Sequence, residues 1–178
     1  MPAPTNALAP APAQPQSSNK LLDFLIQHAP AGMFPTAGRV YLESMQGKRG
    51  PITEADFSPE ELNNIRKLIG VTEGRGNVQY KDYAKLKEQL MKGGDKNVIL
   101  GPSVLAATNP LGNALSTLGR FTYVRDPDGT LRAVDTYDFN SNNPASVTPS
   151  TPYAMLRQYG YEKMPPGTGR PVNINLGK

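Results

Sequence analysis

A chain of 178 residues with 18 prolines, 17 glycines and 38% hydrophobic residues has room for one domain with a modest core. It has no cysteine, which excludes a disulfide framework and any thiol or Cys-zinc chemistry. The net charge of +4 comes from basic residues scattered among acids, so no basic patch marks a nucleic-acid partner, and no apolar run approaches the roughly twenty residues of a membrane span.

Residues 1–19 are uncharged and dominated by Pro, Ala, Gln, Asn, Ser and Thr. That composition buries too little surface to order itself, and repeated proline favours an extended chain. The expectation is a flexible tether, or an arm that docks along a partner. The stretch lacks the charged and apolar regions of a secretory signal.

Residues 20–28 read as a short helix stopped by Ala29-Pro30. Leu21, Leu22, Phe24 and Leu25 give it a broad apolar surface suited to docking on a partner. His28, the one histidine, sits at its end, where a cation meets the helix dipole favourably. Thr36 to Gln46 is a second helix, with Val40, Tyr41 and Met45 at helical spacing and Gly47 as its stop. Lys48 to Pro51 is a loop. Ser58-Pro59-Glu60-Glu61 is a strong helix start, with Ser58 as cap, Pro59 at the first position and Glu61 closing a capping box. Leu62, Ile65, Leu68 and Ile69 form the apolar stripe, Phe57 can staple onto Leu62, and Gly70 is expected to end the helix.

Gly74 to Asn77 is a turn, and its glycines lack the spacing of a phosphate loop. Val78-Gln79-Tyr80 reads as a brief strand entering a helix that runs to about Lys92, with Tyr83, Leu86 and Leu90 on one face and Gly93-Gly94 beyond it. Val98 to Leu100 is a short apolar run. Val104 to Ser116 is expected to be helical in pieces, broken at Asn109-Pro110.

The clearest signal is Leu118 to Asn140. Two β-prone runs, Arg120–Arg125 and Thr130–Phe139, flank Asp126-Pro127-Asp128-Gly129, where Pro127 presets φ and Gly129 can take the positive φ that closes a turn. This predicts a β-hairpin. Period two puts Asp135 and Tyr137 on one face, above Ala133 and Leu131, with Asp138 on the other. Residues 141–149 are a loop. Ser150-Thr151-Pro152 opens a helix with Met155, Leu156 and Tyr159 inward and Gly160 as its end. Val172, Ile174 and Leu176 alternate with asparagines, a half-buried strand that can pair beside the hairpin.

Asp135, Tyr137 and Asp138 are the one cluster with chemical potential: two carboxylates and a phenol can bind a divalent metal or act as a base with a supporting neighbour. Arg157 can add a phosphate contact. On spacing alone a structural role is preferred, because Asp138 and Asn140 can cap the loop and Tyr137 and Phe139 can be core.

The segment Asp135-Thr136-Tyr137-Asp138-Phe139-Asn140 nevertheless resembles the catalytic segment of the colicin M family of bacteriocins. Leu156-Arg157-Gln158-Tyr159-Gly160 and the strand Pro171 to Leu176 follow in a similar order, so the resemblance covers the last third of the chain. It implies an open antiparallel half-barrel with surrounding helices. It also implies magnesium-dependent cleavage of lipid II between the polyprenyl carrier and the pyrophosphate. By motif, Asp135, Tyr137 and Asp138 fall on the family's essential Asp, Tyr and Asp, with Asp138 central and Asp135 and Asp138 as the magnesium ligands. The family's His-Arg pair has no counterpart in Ser141 to Ser146. The whole chain also looks like a small virion protein of a tailed phage.

The expectation is therefore an α+β fold: a helical part at 20–117, then an antiparallel, colicin M-like sheet built on the 119–139 hairpin within 118–178. The preferred function is a virion structural or internal protein that binds other virion or assembly proteins, needs no cofactor and resides in the virion. The alternative is a magnesium-dependent lipid II phosphodiesterase acting in the bacterial periplasm, with Asp135, Tyr137, Asp138 and Arg157 as its catalytic set.

Overall fold

The computed structural model describes residues 35–72, 76–100, 109–137, 159–160, 163–164 and 168–178. Among them the chain forms an α+β fold: helices α1 (Thr36–Met45), α2 (Pro59–Val71), α3 (Tyr80–Lys92) and α4 (Pro110–Leu118), and strands β1 (Asn77–Val78), β2 (Phe121–Arg125), β3 (Leu131–Tyr137) and β4 (Arg170–Asn175). The strands make one open antiparallel sheet in the order β1-β2-β3-β4. The arm at 1–19, the helix at 20–28 with Leu21, Leu22, Phe24, Leu25 and His28, and the loop at 141–149 lie outside the described residues. No helix among the described residues is long and apolar enough to cross a membrane.

Local chemistry explains the helix starts. Ser58 Oγ accepts from Glu61 N–H at 3.2 Å while the Glu61 carboxylate takes Ser58 N–H at 2.6 Å, and Pro59 occupies the first turn. The same backward reach recurs twice. Asp56 takes Thr53 N–H at 2.9 Å, opening a 3-10 turn at Glu54–Asp56, and Asp82 takes Gln79 N–H at 2.8 Å. The last bond explains why Tyr80 begins α3 and does not extend the brief strand expected at 78–80. Asn109 caps α4 by accepting from Gly112 N–H at 2.9 Å, with Pro110 following, so the break expected there is a helix start.

Two expected stops are corrected. Helix α2 runs through Gly70 to Val71, because the Ile69 carbonyl is satisfied by Thr72 N–H at 3.3 Å and Thr72 Oγ1 at 2.7 Å and needs no left-handed glycine. Gly160 is likewise helical: Met164 N–H donates to its carbonyl at 2.8 Å, and the Met164 side chain is fully buried.

The hairpin forms as its residues dictate. Gly129 sits at φ +90°, its N–H donates to Asp126 O at 2.9 Å, and Asp128 carboxylate oxygens take the Thr130 N–H and hydroxyl at 2.9 Å each. Along β4 and the residue after it, Val172, Ile174 and Leu176 are buried while Asn173 and Asn175 are exposed. The helical layer covers one sheet face, with α4 packed on α1, α2, α3 and β3. The core between them gathers Val40, Ile65, Leu68, Tyr83, Ala114, Ala133 and Ile174. The outer edge of β4 is closed at one point, where Ile52 N–H donates to Pro171 O at 2.8 Å and Asn173 N–H to Ile52 O at 2.9 Å. A one-residue bridge of this kind blunts an edge that would otherwise invite another strand.

A buried carboxylate joins the helices. Glu61, 4% exposed, accepts from Thr36 Oγ1 at 3.0 Å and from the Asn113 carboxamide, and Asn113 Oδ1 in turn accepts Ala37 N–H at 2.7 Å. The first turns of α1 and α2 and the middle of α4 therefore meet on one side chain.

Candidate functional site

Strand alternation decides which β3 side chains meet. Ala133, Asp135 and Tyr137 share the face that packs inward, as the period-two reading expected. Across the ladder they stand opposite Ile174, Val172 and Arg170 in turn. Tyr137 is 8% exposed and its partner Arg170 is 0% exposed, while Asp135 is half-buried. The two motif residues thus enter the core side of the sheet and do not line an open surface.

Arg170 is the residue that sequence reasoning missed. Extending the Val172–Ile174–Leu176 alternation back two positions places a guanidinium inward, an unusual assignment that was itself the available signal. Its Nε donates to Gly50 O at 2.9 Å, and its Nη1 lies 3.3 Å from Ser44 Oγ and 3.4 Å from Glu43 Oε2. Its Nη2 is buried and, among the described residues, makes no hydrogen bond. Glu43 also pairs with Lys48 at 2.8 Å and Arg39 at 3.2 Å, and Arg39 bridges on to Asp56 at 3.0 Å. Three cations therefore converge on the Glu43 carboxylate at the last turns of α1.

Neighbouring phenols are held neutral. Burial pushes the Tyr41 hydroxyl far above its ordinary range, with Tyr137 and Tyr159 adding to the shift. Burial does the same to Tyr83, helped by Tyr80 and by the charges of Asp135 and Asp82, while the Tyr83 hydroxyl donates to Gly119 O at 2.7 Å. A phenol in this state is a hydrogen-bond donor. It does not supply a phenolate base near neutral pH.

Asp135 and Tyr137 are brought together; Asp138 and Arg157 lie outside the described residues. Among the described residues no group of three or more His, Cys, Asp or Glu side chains converges as a metal site would. The magnesium expectation therefore turns on Asp138. What the described arrangement does chemically is partner a buried cation through its Nε and Nη1 and anchor β4 to α1. No protein-family model matches the chain, and no curated protein or solved structure matches it either.

Proposed function

We propose that this protein is a non-enzymatic assembly component, a virion structural or internal protein of a tailed phage, that acts by protein–protein interaction. The observation that carries the reading is the facing pair Tyr137 and Arg170, both buried in the inner layer of the sheet. Residues on which a phosphodiesterase would draw are committed here to packing and to tying β4 onto α1. A colicin M-like scaffold used for its shape accounts for the DTYDFN segment without the His-Arg pair. The uncharged arm at 1–19 and the apolar residues Leu21, Leu22, Phe24 and Leu25 are the proposed docking elements. The test is recovery of the full chain from its native source as part of a larger assembly. Association that persists after deletion of residues 1–19 overturns the arm's role, and a chain recovered alone overturns the reading.

One observation favours the second reading, a magnesium-dependent phosphodiesterase on lipid II. Asp135 and Tyr137, two of the three motif residues, stand on one face of β3, with Asp135 half-buried. That enzyme would use Asp138 as key acid, with Asp135 and Tyr137 in support, and act in the periplasm. Magnesium-dependent release of the pyrophosphate-linked headgroup from lipid II, abolished by Asp138→Ala, would establish it; no turnover at micromolar protein excludes it.

A further inference from the structure

Helix α3 buries Asp82, Tyr83 and Leu86 and turns its opposite face to solvent. On that outer face Tyr80, Ala84, Lys87 and Met91 recur at i, i+4, i+7 and i+11, so they form one stripe. Tyr80 is 60% exposed and Met91 47%, two large side chains left out of the core on the same line. Lys81, Lys85 and Lys92 make the neighbouring stripe, with Glu88 among them.

The charge on this face is one-sided. Of the two acids of α3, Asp82 is buried and accepts Gln79 N–H at 2.8 Å, so Glu88 alone is exposed beside the four lysines of the helix. Arg120 adds a fifth cation, its guanidinium 5.7 Å from the centroid of the Tyr80 ring, which braces that ring at the start of the helix. Lys85 Nζ donates to Val71 O at 3.0 Å. Among the described residues Lys81, Lys87, Lys92 and Arg120 make no salt bridge.

We infer that the outer face of α3 docks an amphipathic helix with acidic flanks, presented by a partner protein. A stripe spaced by four, three and four residues is the seam along which two helices pair. Ala84, in its middle, lets a second helix approach closely, and the Tyr80–Arg120 pair at one end is of the residue types that anchor interfaces. Charge complementarity then selects acidic flanks over basic ones. A nucleic acid meets cations along its phosphates and would leave Ala84 and Met91 without partners. A lipid surface needs a broader apolar face than Tyr80 and Met91 offer with Lys87 between them. The inference does not rest on the virion reading, because α3 is separate from the arm at 1–19 and from residues 20–28.

The test is fluorescence anisotropy of a labelled helical peptide of about 20 residues, with leucine at i, i+4, i+7 and i+11 and glutamate at the flanking positions, titrated with the full chain. Saturable binding is expected with Kd on the order of 10 μM, weakening as salt rises. The same peptide with lysine for glutamate should not bind, and one with alanine for leucine should bind at least tenfold more weakly. Tyr80→Ser and the pair Lys81→Glu with Lys92→Glu alter exposed side chains, so the chain should fold as before and each variant should weaken binding about tenfold. Lys163→Glu with Lys178→Glu makes the same change in net charge away from α3 and should leave the affinity within about twofold. Absence of saturable binding, equal binding of the lysine or alanine peptide, tighter binding of duplex DNA or of phosphatidylglycerol vesicles, or equal losses from the two paired charge reversals overturns the inference.

Discussion

The Glu61 carboxylate accepts from the Asn113 carboxamide across 52 residues of sequence, inside the helical layer. The same carboxylate closes the first turn of α2 and takes the Thr36 hydroxyl, so one side chain serves three helices. Asn113→Ala removes a donor from a buried acceptor and also strips Ala37 N–H of its partner. A loss of about 2 kcal/mol is expected in urea unfolding. Glu61→Ala loses the capping box as well and should cost about 3 kcal/mol. The double variant should cost less than the sum, because each single change already breaks the shared bond. Strict additivity would mean that the two side chains are not coupled.

Gly70 and Gly129 make opposite predictions from the same substitution. Gly70 lies in exposed helix with open space around a Cβ, so Gly70→Ala should stabilise by about 0.5–1 kcal/mol. Gly129 sits at φ +90° with equal room, so Gly129→Ala is governed by backbone strain alone and should destabilise by about 1–2 kcal/mol. Thermal melts of the two variants should shift in opposite directions. A shift of the same sign would show that backbone conformation does not control them.

Features governed by near neighbours were legible in the residues. Ser58 and Glu61 stand three positions apart and need nothing else to form their box, and Asp126 to Gly129 contain the whole turn. Alternation through Val172, Ile174 and Leu176 revealed an inward face, and period two placed Asp135 beside Tyr137. Partners distant in sequence were not legible. Nothing near Glu61 named Asn113, 52 residues later, and nothing near Arg170 named Glu43, 127 residues earlier. The direction of the Asp135–Tyr137 face, toward the core, depends on how β3 packs under α4, a relation that spacing does not carry.

Acid should unfold the protein through Arg39. Burial pushes the Asp56 carboxyl up, but Thr53 N–H and the Arg39 guanidinium outweigh it and the net shift is downward. Glu43 behaves alike: burial raises it, and Lys48 and Arg39 bring it below its ordinary value. Because the folded values are depressed, the stabilisation is present above the unfolded carboxylate values of about 3.9–4.3 and is lost as pH falls through the lowered native ones. The urea midpoint should stay level from neutral pH to about pH 5 and then drop. Arg39→Met removes the partner common to both acids, so it should lower the plateau and flatten the acid limb. Parallel curves for parent and variant would sink this account.

Arg170 sets ion pairing against packing, and magnitudes decide between them. A buried guanidinium with an unsatisfied Nη2 carries a desolvation penalty that its 3.4 Å contact with Glu43 only partly offsets. Glu43 would not be stranded by its loss, because Lys48 at 2.8 Å and Arg39 at 3.2 Å remain. Arg170→Met keeps most of the buried volume and gives up the Gly50 carbonyl contact, so the net cost should stay below about 1.5 kcal/mol. Arg170→Ala opens a cavity beneath Tyr137 and should cost about 3 kcal/mol or more. Equilibrium unfolding of both variants separates the terms. Equal and large losses would make the charge the holder of β4 against α1, whereas a wide gap in favour of methionine makes it the bulk of the side chain.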